Sequence, residues 1–155
     1  MEISFTKKEL NKHVITCKRN DGSVTWMQSD DFFVRHDLMH YAVETTLNFR
    51  NGFYGILDSG INISDFEIPE KRRTFNLSTE ALHAESLVGL ISTELSQGNF
   101  ESLQDTIDEM YKINYPAVKA PAIDNASISQ IKQKYHELIL DWLKLPQNQK
   151  LVLQF

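Results

Sequence analysis

The chain has 155 residues, 41% hydrophobic and 24% charged, a balance that fits one globular domain over 1–155 and excludes a disordered chain. A domain of this size buries roughly 70% of its unfolded surface, so its core needs neither a disulfide nor a metal staple. The net charge of −5 argues against a nucleic-acid partner or an anionic membrane surface, since both select clustered positive charge.

The N-terminal part reads as strand. His13 to Arg19 and Ser23 to Gln28 are rich in β-branched and aromatic residues, and Asn20-Asp21-Gly22 between them supplies residues that tolerate positive φ, a hairpin signal. Ile3 to Thr6 reads as a further strand or a lead-in. Cys17, the one cysteine, lies in the hairpin and reads as a buried structural thiol; no intramolecular disulfide can form, which fits a reducing compartment. From about Arg35 to Asn48 the chain has no Gly or Pro and spaces Met39, Val43 and Leu47 for one helical face. Residues 50 to 77 read mostly as loop, and the basic run Glu70-Lys71-Arg72-Arg73 within them reads as solvated. A second helix is expected from a Ser78 cap to Gly98, and a third from about Phe100 to Ile113, ahead of Tyr115-Pro116. A capping box at Ser127 to Gln130 opens the last helix, Pro146 stops it, and Leu151 to Phe155 returns as a strand to the hairpin. The fold expected is α+β: a small antiparallel sheet, made of the N-terminal hairpin and the C-terminal strand, packed with about four helices. Trp26 and Trp142 read as core anchors, and His13 and His136 as surface residues. No leader segment or 18-residue apolar run is evident, so a cytoplasmic protein without a membrane span is expected.

The segment that carries chemistry is His36 to Glu44. At about 100° per residue, His36, His40 and Glu44 fall within about 80° of one another on a helix, with Asp37 at the margin. Two imidazoles at i and i+4 with carboxylates beside them form the donor pattern of helical zinc sites. The expected helix start lies close to His36, where its positive end favours an ionised Asp37 and a neutral imidazole. The likeness to the zincin pattern His-Glu-x-x-His is partial, since Asp37 is one methylene shorter than Glu and suits either direct ligation or work on a bound water. The second helix offers His83 and Glu85 on opposite flanks of its apolar stripe, so at most one of them faces the first helix.

The stretch Val34-Arg35-His36-Asp37-Leu38-Met39-His40-Tyr41-Ala42-Val43-Glu44, followed by Arg50-Asn51-Gly52-Phe53-Tyr54-Gly55, resembles an uncharacterised family of small bacterial proteins. These share a His-Asp-Leu-x-His-Tyr-x-Val-Glu signature and a Gly-Phe-x-Gly turn. The Asp21-Gly22 hairpin, the Ala84-Glu85 pair and the short C-terminal strand are similar too, so the likeness covers most of the chain. It implies no activity, and it favours Glu85 over His83 as the participant from the second helix. A looser resemblance links the His-Asp-x-x-His core to ubiquinone-biosynthesis proteins, which carry a Glu after eleven intervening residues. Gly52 stands there in this chain, so the quinone role does not carry over, while the shared core supports Asp37 as a ligand.

These readings converge on a divalent-metal-binding domain, with His36, Asp37, His40, Glu44 and Glu85 as candidate ligands and zinc as the leading metal. Asp37 and Glu44 are the candidate catalytic carboxylates. The catalytic version is a metal-dependent hydrolase acting on a small molecule. The alternative is a non-catalytic ligand-binding or adaptor protein in which the His/Asp/Glu cluster is a structural polar network.

Overall fold

A computed structural model of the protein describes residues 1–75 and 77–155. Its α+β architecture is the expected one. Strands β1 (Glu2–Thr6), β2 (His13–Lys18), β3 (Val24–Ser29) and β4 (Lys150–Gln154) form an antiparallel sheet in the order β3-β2-β1-β4. Alternation turns Ile3, Phe5, Ile15 and Cys17 inward with no exposure, and the register sets Ile3 opposite Cys17 and Phe5 opposite Ile15. The hairpin turn needs Gly22, whose φ of +87° is a region that a Cβ disfavours. The same period of two corrects one expectation: Thr25 faces in, so Trp26, opposite Thr16, faces out and is 62% exposed.

The first helix, α1 (Asp31–Thr46), starts four residues before the expected Arg35. Asp30 caps it, accepting from Phe33 N at 3.0 Å, and Asn11 Oδ1 accepts from Asp31 N at 2.7 Å. Such a cap contributes about 0.5–2 kcal/mol, which outweighs the low helix propensities of Phe32, Phe33 and Val34. Residues 50 to 77, expected mostly as loop, hold α2 (Phe53–Asp58), a 3₁₀ turn at Ile63–Glu67 and α3 (Pro69–Arg72), while Asn76 lies outside the described residues. The basic run is therefore partly helical, though exposed as expected.

Ser78 caps α4 (Thr79–Gln97) as expected, accepting from Ala81 N at 3.0 Å. After α5 (Leu103–Asn114) comes α6 (Asn125–Lys144), which is capped by Asp124 and not by Ser127. Asp124 Oδ1 accepts from Ser127 N at 2.7 Å, so the apparent capping box sits inside the first turn. Lys7 Nζ closes the far end of α6 on the carbonyls of Trp142 and Leu143, at 2.9 and 3.1 Å. The described residues thus form six helices where about four were expected, and α2 and α3 are the additions.

Helix α1 is the centre of the domain, packed against α6, α4, α2 and β2. Val34, Leu38, Met39, Ala42 and Val43 are fully buried along it. Trp142 of α6 anchors the core as expected, with no exposure and its Nε1 donating to Asp31 Oδ1 at 2.8 Å. His13 is not the surface residue expected. It packs edge-on against Trp142 at 4.9 Å and its Nδ1 accepts from Lys8 N, which leaves it 5% exposed. His136 is exposed. No helix among the described residues is long and apolar enough to cross a membrane.

Burial, with Asp37 adding to it, pushes the Cys17 thiol up to about 12. At pH 8 a thiol reagent should therefore modify the native protein about 100-fold more slowly than the urea-unfolded chain. Equal rates would show that β2 opens readily.

Candidate metal centre

The early start of α1 places His36 beyond its first turn, where the helix dipole has faded. The expectation that the helix end tunes Asp37 and His36 therefore does not hold. His36 and His40 are one turn apart, with ring centroids separated by 4.8 Å. Across from them α4 presents Glu85, whose Oε2 lies 3.2 Å from His40 Nε2 and whose Oε1 lies 3.9 Å from His36 Nε2. One donor atom each from His36, His40 and Glu85 lies within 4.8 Å of the others, so this group could hold a metal ion. In a tetrahedral zinc site with bonds of ~2.0–2.1 Å, donors stand roughly 3.3–3.5 Å apart. The His40–Glu85 separation of 3.2 Å already matches, and the part-exposed His36, 3.9 Å from Glu85, stands further out than a bound ligand would.

Asp37 and Glu44 are not in that converging group. Each stands behind an imidazole, against its Nδ1. Glu44 Oε1 lies 3.1 Å from His40 Nδ1, and Asp37 Oδ1 lies 3.4 Å from His36 Nδ1. A carboxylate at Nδ1 holds a proton there and leaves Nε2 as the nitrogen that a metal would take in exchange for its proton, the arrangement by which outer carboxylates orient metal-binding histidines.

Glu44 has no exposure, and its charge is met from three sides. Besides His40, Oε1 accepts from Phe53 N at 2.9 Å and Oε2 from Tyr54 N at 3.1 Å, the first amides of α2. Gly52 stands just ahead of them, where a Cβ would lie 2.5 Å from Glu44 Cδ and Oε2. The carboxylate can reach these amides because residue 52 has no side chain. Phe53 then packs against the His40 ring at 5.1 Å, and Tyr54 donates to the Asp37 carbonyl at 2.9 Å.

Sequence reasoning took the stretch around Gly52 as a loop able to shape a substrate pocket, and missed Gly52, Phe53 and Tyr54 as partners of Glu44 and His40. Their signal was the break at Asn51-Gly52, which reads as the end of one helix and is also the start of the next. His83, the rival to Glu85, points elsewhere. Its Nε2 lies 3.1 Å from the Lys119 carbonyl, and its ring packs between Phe49 and Tyr111.

Burial alone would push the His40 imidazole down, but its pairing with Glu44 and Glu85 outweighs that and raises it to about 9. The metal-free protein therefore carries a proton on His40 at neutral pH. Because the folded state holds that proton more tightly than the unfolded chain, the stability it contributes is complete below about pH 6.5 and is lost as pH rises through about 9. Thermal melts of chelator-treated protein should show a falling Tm across this interval in the parent and a flatter profile in His40→Ala. Gly52→Ala should lower stability by about 2–3 kcal/mol in urea titration, because the new methyl group displaces a buried charged acceptor. A neutral outcome would mean that Glu44 has room to move. Comparison with protein-family models, curated proteins and solved structures finds no match, so the reading of this centre rests on its own geometry.

Proposed function

We propose that this chain binds a divalent metal through His36, His40 and Glu85, with Asp37 and Glu44 orienting the two imidazoles from behind. The observation that carries this reading is the convergence of both Nε2 atoms on one carboxylate while each Nδ1 faces another. A cluster that merely satisfied its own polar atoms would not need both rings aimed the same way. Two nitrogens and an oxygen suit zinc first, and also nickel, iron or manganese.

A metal held by three protein groups keeps open positions, and it supplies Lewis acidity and a bound water of lowered pKa. A metal-dependent hydrolase of a small molecule is the catalytic form of the proposal. Asp37 and Glu44 each stand against an Nδ1, on the side of the imidazole away from such a water, so both act on it only through the histidines they orient.

A second reading is favoured by one observation: the His40 ring already spans two carboxylates, with Nδ1 3.1 Å from Glu44 and Nε2 3.2 Å from Glu85. On that reading the cluster is a structural polar network in a non-catalytic ligand-binding or adaptor protein. His40→Ala separates the two. The network reading expects a loss of about 1–3 kcal/mol with no change in metal content.

Elemental analysis of untagged protein, purified without chelator, is the direct test. One equivalent of metal is expected in the parent and none in His36→Ala/His40→Ala. Glu44→Gln should weaken metal affinity about 10–100-fold by releasing the His40 ring. Metal uptake should also displace the His40 proton, so apparent affinity should rise about tenfold per pH unit below about 9. A parent that takes up no metal after reconstitution would sink the proposal.

A further inference from the structure

We infer that the centre takes a ligand with an aromatic or similarly apolar body and a neutral or singly anionic donor head, the body lying on Phe32 and Phe33. This rests on the metal reading above and names the class of molecule that the open positions accept.

The geometry comes from α1 itself. At about 100° per residue, Phe32 lies about 40° to one side of His36 and Phe33 about 60° to the other, which brackets the sector shared by His36 and His40. Both are one turn N-terminal to His36, and helical side chains lean toward the N-terminus, so the His36 ring leans over the turn that bears them. Further along α1 this sector is closed: Val43 is fully buried and the His40 side chain is 3% exposed. Toward the N-terminus it opens, with the side chains of His36 and Glu85 exposed by 32% and 67%. The helical spacing sets Phe32 and Phe33 on either side of that end of the sector; they are 69% and 53% exposed, with their rings edge to face at 5.3 Å.

Single exposed apolar residues are common and need no account. Two adjacent phenylalanines on the rim of a polar cluster are different. They bury little surface there, and phenylalanine is a poor helix former that no local preference selects. A preformed corner of two rings does suit a third aromatic group.

Charge decides the donor head. Glu85, Asp37 and Glu44 place three carboxylates in or behind the centre, more than enough to neutralise a dication. Arg35, the residue before His36, is paired with Asp31 at 2.5 Å and does not offset that charge. A phosphate ester dianion would meet about twice the repulsion of a singly charged carboxylate or hydroxamate, which a bond to the metal can offset, and a neutral carbonyl would meet none.

The test uses zinc-loaded full-length protein and two hydroxamate probes that share a metal-binding head, one with a phenyl body and one with a methyl body. Calorimetry should give benzohydroxamate at least ~10-fold tighter binding than acetohydroxamate, with the preference falling to about twofold in Phe32→Ala/Phe33→Ala. Zinc stoichiometry should be unchanged in that variant, and inorganic phosphate should not compete. Equal affinity for the two probes, an undiminished preference in the double variant, or competition by phosphate would each overturn the inference while leaving the metal reading intact. Association of the parent in light scattering that the double variant abolishes would also overturn it, and would assign the corner to contact between copies. A parent that retains no zinc would overturn both readings, and the stoichiometry reports that separately.

Discussion

Burying a carboxylate completely costs several kcal/mol unless donors meet it on every side. Glu44 is such a group, and the arrangement around it sets the rest of the centre. Its donors come from two places, the His40 ring one turn back on α1 and the opening amides of α2. The charge therefore cannot be satisfied unless the chain reverses sharply after α1 and begins a new helix against it. A residue without a side chain has to stand at that corner, which is where Gly52 stands.

The same corner is held from the opposite side. Glu80 of α4 accepts from the backbone amides of Arg50 and Asn51 at 2.9 and 2.7 Å, and Ser78 Oγ donates to the Asn51 carbonyl at 2.7 Å. Two carboxylates on two helices thus grip consecutive amides of one short connection. The approach of α4 to α1 follows from this grip, and Ala84 of α4 is fully buried. Glu85, the next residue, is carried to the two imidazoles by that approach and not by any contact of its own with the core. Its side chain remains largely in solvent, so the centre has a rigid half on α1 and an adaptable half on α4.

Much of this was legible in the residues. The strands, the turn at Gly22, the Ser78 cap and the pairing of two histidines on one helical face follow from local patterns that tertiary packing did not override. What escaped were features in which one residue has two readings. Asp30 lies in the polar cluster between strand and helix, where no periodicity marks a boundary, yet its carboxylate starts the helix and carries the dipole's positive end four residues upstream of Arg35. Trp26 looks like core by composition, but its position in the alternation belongs to the outer face. The Ser127 box has the right spacing, and Asp124 captures the role because its carboxylate reaches the Ser127 amide first. Gly52 reads as a helix end; that it also gives clearance to a buried carboxylate depends on Glu44 being close in space, which no local pattern encodes. Glu85 could be preferred to His83 by resemblance alone, since periodicity puts them on opposite flanks without saying which flank meets α1.

The pairing of β1 with β4 has a consequence for how the chain folds. Met1 N donates to the Phe155 carbonyl at 2.7 Å across a sequence separation of 154, and Phe155 N returns a bond to the Met1 carbonyl at 2.9 Å. Closing a loop of that length is inexpensive at equilibrium, since each doubling of length costs only about 0.6 kcal/mol. It is slow to find, because nearly the whole chain must be compact before the contact rewards it. The imidazoles and Glu85 lie on helices brought together by a far shorter connection. The α1–α4 pair can therefore organise while the outer strand is still unpaired, and on a ribosome it could do so before β4 has been synthesised.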